Sequence, residues 1–155
     1  MKNIEKLIQN YHGKIGNELG KSSWFLIDQG MIDKFASLTM DSQFIHIDPE
    51  RAKLETPFGS TIAHGFLILS LSTKFALEAL EPPKNEKMSI NYGFNKIRFI
   101  NPVRCNDLVR GVFILKDIKQ RSEKEILFHY ELSTEIKNKK KPALICEWLA
   151  LSIFG

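Results

Sequence analysis

Asp41 and His46 stand five residues apart in the run Asp41-Ser42-Gln43-Phe44-Ile45-His46-Ile47-Asp48-Pro49. The stretch from Met40 to Ile47 reads as a loop, and folded back it can bring a carboxylate and an imidazole to one point. Such a pair can hold a water and move protons near neutral pH, where histidine titrates. Each residue also has a plain structural use. Asp41 can form an Asx turn, and Asp48 before Pro49 reads as a helix cap with proline at the first helical position. A second chemistry-bearing stretch is Phe58-Gly59-Ser60-Thr61-Ile62-Ala63-His64-Gly65-Phe66. Backbone N–H groups in the first turn of a helix lack intrahelical acceptors. They can stabilise a carbonyl oxygen that gains negative charge. Gly65 can equally serve only to let a helix start pack closely, and His64 can be a buried imidazole satisfied by backbone.

These residues need elements to hold them. Ile4, Leu7, Ile8 and Tyr11 make a short helical stripe, broken up by Gly13, Gly16 and Gly20. Ser22 to Ile27 reads as a first short strand. Asp28 can cap a helix that buries Ile32, Phe35 and Ala36 on one face and ends near Thr39. A further helix should run from Pro49 through Leu54. Thr61 to Leu80 is the strongest helix candidate. Its apolar residues cover more than one face, which predicts burial nearly all round, and Pro82-Pro83 stops it. Beyond the prolines the pattern turns to strands. Met88, Ile90, Tyr92 and Phe94 alternate, then shift phase at Asn95-Lys96 as a bulge would. Leu108 to Ile118, Ile126 to Thr134 and Leu144 to Phe154 follow. Successive strands with short turns predict an antiparallel sheet. The resulting class is α+β, a long buried helix packed against and wrapped by that sheet.

Composition excludes several alternatives. The chain has 155 residues, 43% of them hydrophobic and 26% charged, which are ordinary globular values for one domain, 1–155. Eleven Phe supply a bulky core or pocket. The formal net charge is +4, but the sharpest basic cluster, Lys137, Lys139, Lys140 and Lys141, sits between two strand-like runs without interleaved aromatics. It reads as a solvated hairpin loop, and nucleic acid is not expected as a partner. Cys105 and Cys146 make neither a disulfide framework nor a CxxC pair. No HExxH occurs and no metal is expected. The longest uncharged stretch, Thr56 to Thr73, contains proline, glycines and hydroxyls and fails as a membrane span. With no apolar leader segment in view, a cytoplasmic location is expected.

The order Asp-x-Gln-x-x-His-x-Asp-Pro-x-x-Ala, followed by Gly-x-x-Ile-Ala-His-Gly-Phe-Leu, resembles the MaoC-like (R)-specific enoyl-CoA hydratases. The similarity is greatest to their nodulation-protein-N-type subgroup. Phe99-Ile100-Asn101-Pro102-Val103 and Asp107 resemble the family's later strand and turn. The resemblance implies a hot-dog fold, usually a homodimer, and reversible syn hydration of a trans-2-enoyl thioester. It implies Asp41 and His46 as the dyad that binds and activates water, with Asp41 exchanging the proton at the α-carbon. The Gly65 N–H would polarise the thioester carbonyl. Gln43, Ser60, His64 and Thr73 are the implied substrate-binding candidates, with Ser72 beside Thr73. The broader hydratases carry Asn-Pro where this chain has Gln43-Phe44, and the nodulation-type subgroup shares the Gln. No cofactor is implied, since water and side chains perform the step. An acyl-CoA thioester is the expected partner, its phosphates suited to cations such as Arg98 or Arg104. Two other readings stay open on the same fold: an acyl-CoA thioesterase and a non-catalytic acyl-CoA binding module.

Overall fold

The computed structural model describes residues 2–155. Six helices and six strands follow the order α1 (Lys2–His12), β1 (Glu18–Lys21), β2 (Phe25–Leu26), α2 (Gln29–Thr39), α3 (Phe44–Ile47), α4 (Pro49–Glu55), α5 (Gly65–Ser70), α6 (Ser72–Ala79), β3 (Glu86–Phe99), β4 (Leu108–Ser122), β5 (Glu125–Ile136) and β6 (Leu144–Phe154). The strands form one antiparallel sheet in the order β1-β4-β5-β6-β3, with β2 also on β4.

Alternation sets which side of the sheet is covered. Phe128, Tyr130 and Leu132 on β5 pair with Ala150, Trp148 and Cys146 on β6, and all six are buried. Helix α6 packs onto this sheet through Phe75, which is fully buried. Gly111 of β4 makes room for it, since a Cβ added there would lie 2.6 Å from the Phe75 Cβ. Burying a phenylalanine this way stabilises the fold by roughly 1.5–3 kcal/mol.

The caps at Asp28 and Asp48 form as read: Asp28 Oδ1 accepts from the Met31 N–H at 2.8 Å and Asp48 Oδ1 from the Arg51 N–H at 3.0 Å. The bulge at Asn95-Lys96 is present, with Lys96 at φ 51° and a register shift against β6. Five expectations need correction. The first strand is displaced: β1 precedes Ser22, and only Phe25–Leu26 of the expected run forms a strand. The Met40–Ile47 loop contains a single helical turn, α3. The long helix starts at Gly65 rather than Thr61, because Ala63 N–H bonds to the Val103 carbonyl and Ile62 bridges Arg104. It then breaks at Leu71, where Ser70 and Ser72 hydroxyls donate to the carbonyls of Leu67 and Leu69 and tighten the turn. Nor is it buried all round. Phe66 is 69% and Leu77 80% exposed, because one chain covers only the sheet-facing side. Beside this bare face runs β3, an edge strand of 14 residues with Met88, Ile90 and Tyr92 exposed.

Candidate active site

Helix α2 ends in Met40 at φ 59°, a left-handed C-cap that turns the chain sharply into Asp41. Three residues on, α3 begins, and its single turn is closed by the bonds from His46 N–H to the Gln43 carbonyl and from Asp48 N–H to the Phe44 carbonyl. The capped helix α4 then fixes its exit. This short path carries His46 inward, 7% exposed, while the Asp41 side chain stays 56% exposed.

His46 Nδ1 lies 2.6 Å from the Ile62 carbonyl oxygen. A carbonyl only accepts, so Nδ1 carries the proton and Nε2 of the neutral ring holds the lone pair. Burial pushes the His46 pKa below its usual 6.5, outweighing the upward pull of the Ile62 bond; nearby His64 lowers it further and Asp41 opposes. The ring is therefore neutral at physiological pH and free to accept a hydrogen bond at Nε2.

His64 lies against it. The two imidazoles stack with centroids 3.7 Å apart and planes 22° from parallel. His64 Nε2 is 2.9 Å from the Asp41 backbone oxygen and 4.0 Å from its carboxylate. By the same logic Nε2 carries the proton, and His64 Nδ1 is buried without a partner. One donor atom from each of Asp41, His46 and His64 lies within 4.8 Å of the others. These three are the described side chains that could together hold an ion.

His46 and Gly65 line one cavity of about 160 Å³, with Ile62, Phe99, Asn101 and Val103 among its walls. Gly65 is the first residue of α5, so its N–H has no intrahelical acceptor. Phe99 sits directly over it: a Cβ on Gly65 would be 2.9 Å from that ring. Asp41, His46 and His64 thus cluster, and His46 also lines the cavity that Gly65 borders, whose walls include neither Asp41 nor His64. The other candidates do not line this cavity. Gln43 is exposed at the N-cap of α3, with no side-chain capping bond. The Ser60 hydroxyl donates to the Thr61 carbonyl. Thr73 is exposed and lines a different cavity, of about 270 Å³, with Tyr130 and Trp148. Ser72 is buried, and its hydroxyl donates to the Leu69 carbonyl of α5. Arg98 donates to the Ile97 carbonyl, and Arg104 is exposed.

Sequence reasoning missed Gln29 and Thr61. Gln29 Nε2 donates to the His46 carbonyl at 2.7 Å and to Asp33 at 2.7 Å, and its Oε1 accepts the Thr61 hydroxyl. The partners are 17 and 32 residues away in the chain, so no local pattern marks them.

The MaoC like domain model matches residues 10–136. Nodulation protein N of Rhizobium meliloti is 46% identical over 141 residues, covering 91% of this chain and 88% of that protein. 3-Hydroxyacyl-thioester dehydratase Z of Mycobacterium tuberculosis is 37% identical over 132 residues, covering 85% and 86%. Among solved structures, the (R)-hydratase from A. caviae involved in PHA biosynthesis superposes with a TM-score of 0.70 at 21% identity, over 88% of this chain and 94% of that one. The fold is the hot-dog arrangement that the sequence resemblance implied.

Proposed function

The chain belongs to the MaoC-like dehydratase family, and from that premise we propose that it is one hot-dog domain, 1–155, catalysing the reversible hydration of a trans-2-enoyl-CoA to an (R)-3-hydroxyacyl-CoA. The observation that carries the reading is the meeting of Asp41 and His46, one polar atom of each within 4.8 Å, beside a cavity walled by His46 and Gly65. A water held between the Asp41 carboxylate and His46 Nε2 attacks C3 of the enoyl group. As its oxygen bonds to C3, Asp41 takes one water proton and passes it to C2 on the same face, which makes the addition syn. His46 Nε2 accepts a hydrogen bond from the water's other hydrogen and so aims its oxygen. The charge that builds on the thioester oxygen faces the Gly65 N–H. The double bond is lost, one C–O and one C–H bond form, and both residues end as they began.

In this reading the working unit is a homodimer joined along the free edge of β3, which covers Phe66, Leu77 and the exposed β3 side chains. The lysine hairpin would meet the anionic coenzyme. Its Lys141 carbonyl accepts from Asn101, a wall of the cavity. Crotonyl-CoA and longer enoyl-CoAs are the test, followed by loss of the conjugated-thioester absorbance and chiral analysis of the product. An (R)-3-hydroxyacyl product supports the reading. Release of free CoA without hydration favours a thioesterase, and binding without turnover favours a non-catalytic acyl-CoA module; either result overturns the proposal.

A further inference from the structure

His46 is held at two points, and one of them runs through a side chain outside the Asp41–His46 pair. Its ring is fixed by the Ile62 carbonyl. Its own carbonyl is fixed by the Gln29 amide on α2. The orientation of that amide follows from its partners. The His46 carbonyl and the Asp33 carboxylate accept, so the NH2 group faces them. Oε1 then faces Thr61, and the Thr61 hydroxyl must be the donor. Thr61 is 1% exposed and precedes Ile62 directly. The Ile62 N–H in turn bonds to the Ile45 carbonyl at 3.0 Å, next to His46. Gln29, Thr61, Ile62 and His46 thereby close a ring of hydrogen bonds around the imidazole, and every bond in it joins segments far apart in sequence.

We infer that Gln29 and Thr61 form a positioning clamp that holds the His46 imidazole in its Nδ1–H tautomer and aims Nε2 into the cavity. The consequence for rate rests on the hydratase reading above; the consequence for the ring does not. Neither residue touches the reacting atoms. If Gln29 releases the His46 carbonyl, α3 is free to shift against the Thr61–Ile62 segment, and the Nδ1 bond to Ile62 loosens with it. A misplacement of under an ångström is enough to cost roughly tenfold in rate.

Gln29→Leu, which keeps bulk and removes both functions, should lower kcat about tenfold with KM little changed. Nitrogen-15 NMR of the imidazoles supplies a readout independent of turnover. The parent should show His46 protonated at Nδ1, and Gln29→Leu a mixture of tautomers. Thr61 gives a second route should Gln29→Leu fold poorly. Thr61→Ser retains the donor and should keep most of the rate and the parent tautomer. Thr61→Val, matched in shape, should lose both. The clamp is overturned if Gln29→Leu keeps kcat and tautomer, or if Thr61→Val and Thr61→Ser behave alike. Should the parent fail to hydrate any enoyl thioester, the hydratase reading falls, and the NMR comparison alone still decides the clamp.

Discussion

Replacing Gly65 by alanine should separate activity from stability. The added methyl carbon would lie 2.9 Å from Phe99 Cε1, 3.0 Å from Cδ1 and 3.2 Å from Cζ. Ordinary carbon contacts need about 3.5 Å or more, so ring and helix start must part by about 0.5 Å. Phe99 is 51% exposed, and its ring has room to give. Gly65 is also helical, where alanine is favoured by up to about 1 kcal/mol. The two effects oppose each other, so net stability should change by less than about 1 kcal/mol, or a few degrees in Tm. Activity has no such compensation. The methyl group stands beside the N–H proposed to face the thioester oxygen, in a cavity of about 160 Å³. A half-ångström displacement of the reacting groups should cost roughly tenfold, and more if the carbonyl is pushed off the N–H. The assay is kcat/KM on crotonyl-CoA beside a thermal melt. An alanine variant with parental kcat/KM would refute the placement of the carbonyl at Gly65. A large fall in Tm alongside lost activity would refute the packing argument.

Because burial lowers the His46 pKa below 6.5, the acid limb of kcat/KM should have its midpoint below pH 6.5. The same shift makes stability fall with acidification: between 6.5 and the lower folded-state value the unfolded chain binds more protons, so a urea titration across that window should show decreasing stability as pH drops. Phe75→Ala removes a fully buried ring between α6 and the sheet and should cost about 3–5 kcal/mol by denaturant unfolding. Tyr92→Arg on the open β3 edge should convert a dimer to monomers in analytical ultracentrifugation, and a wild-type chain that sediments as a monomer would argue against assembly along that strand.

Local chemistry explains what could be read from the residues alone. Asp28, Asp48 and Pro82-Pro83 act within a turn of where they stand, and each fixes a boundary as expected. Period-two alternation marked β5, where burial of one sheet face imposes it directly, whereas the alternating Met88, Ile90 and Tyr92 of β3 lie exposed at the sheet edge. The break at Leu71 was invisible to hydrophobic periodicity, because the two serine hydroxyls bonded to backbone around it leave the apolar pattern unchanged. Strand β1 was missed because Glu18-Leu19-Gly20-Lys21 is short and held by pairing with β4, far along the chain. Of the proposed site, Asp41, His46 and Gly65 stood out by spacing and by resemblance to a family motif. Gln29 and Thr61 were not, because their importance lies in bonds across 17 and 32 residues. The stacking of His64 on His46 likewise depends on how α3 and the segment before α5 are brought together, which neither segment specifies alone.

In the proposed reaction Asp41 and His46 together direct one water onto the enoyl group. Single-turnover hydration of crotonyl-CoA by the parent, Asp41→Asn and His46→Gln tests it most directly, with each variant first shown to fold by its melt. Each substitution should lower the rate at least a hundredfold while crotonyl-CoA still binds. A rate near that of the parent in either variant would contradict the dyad.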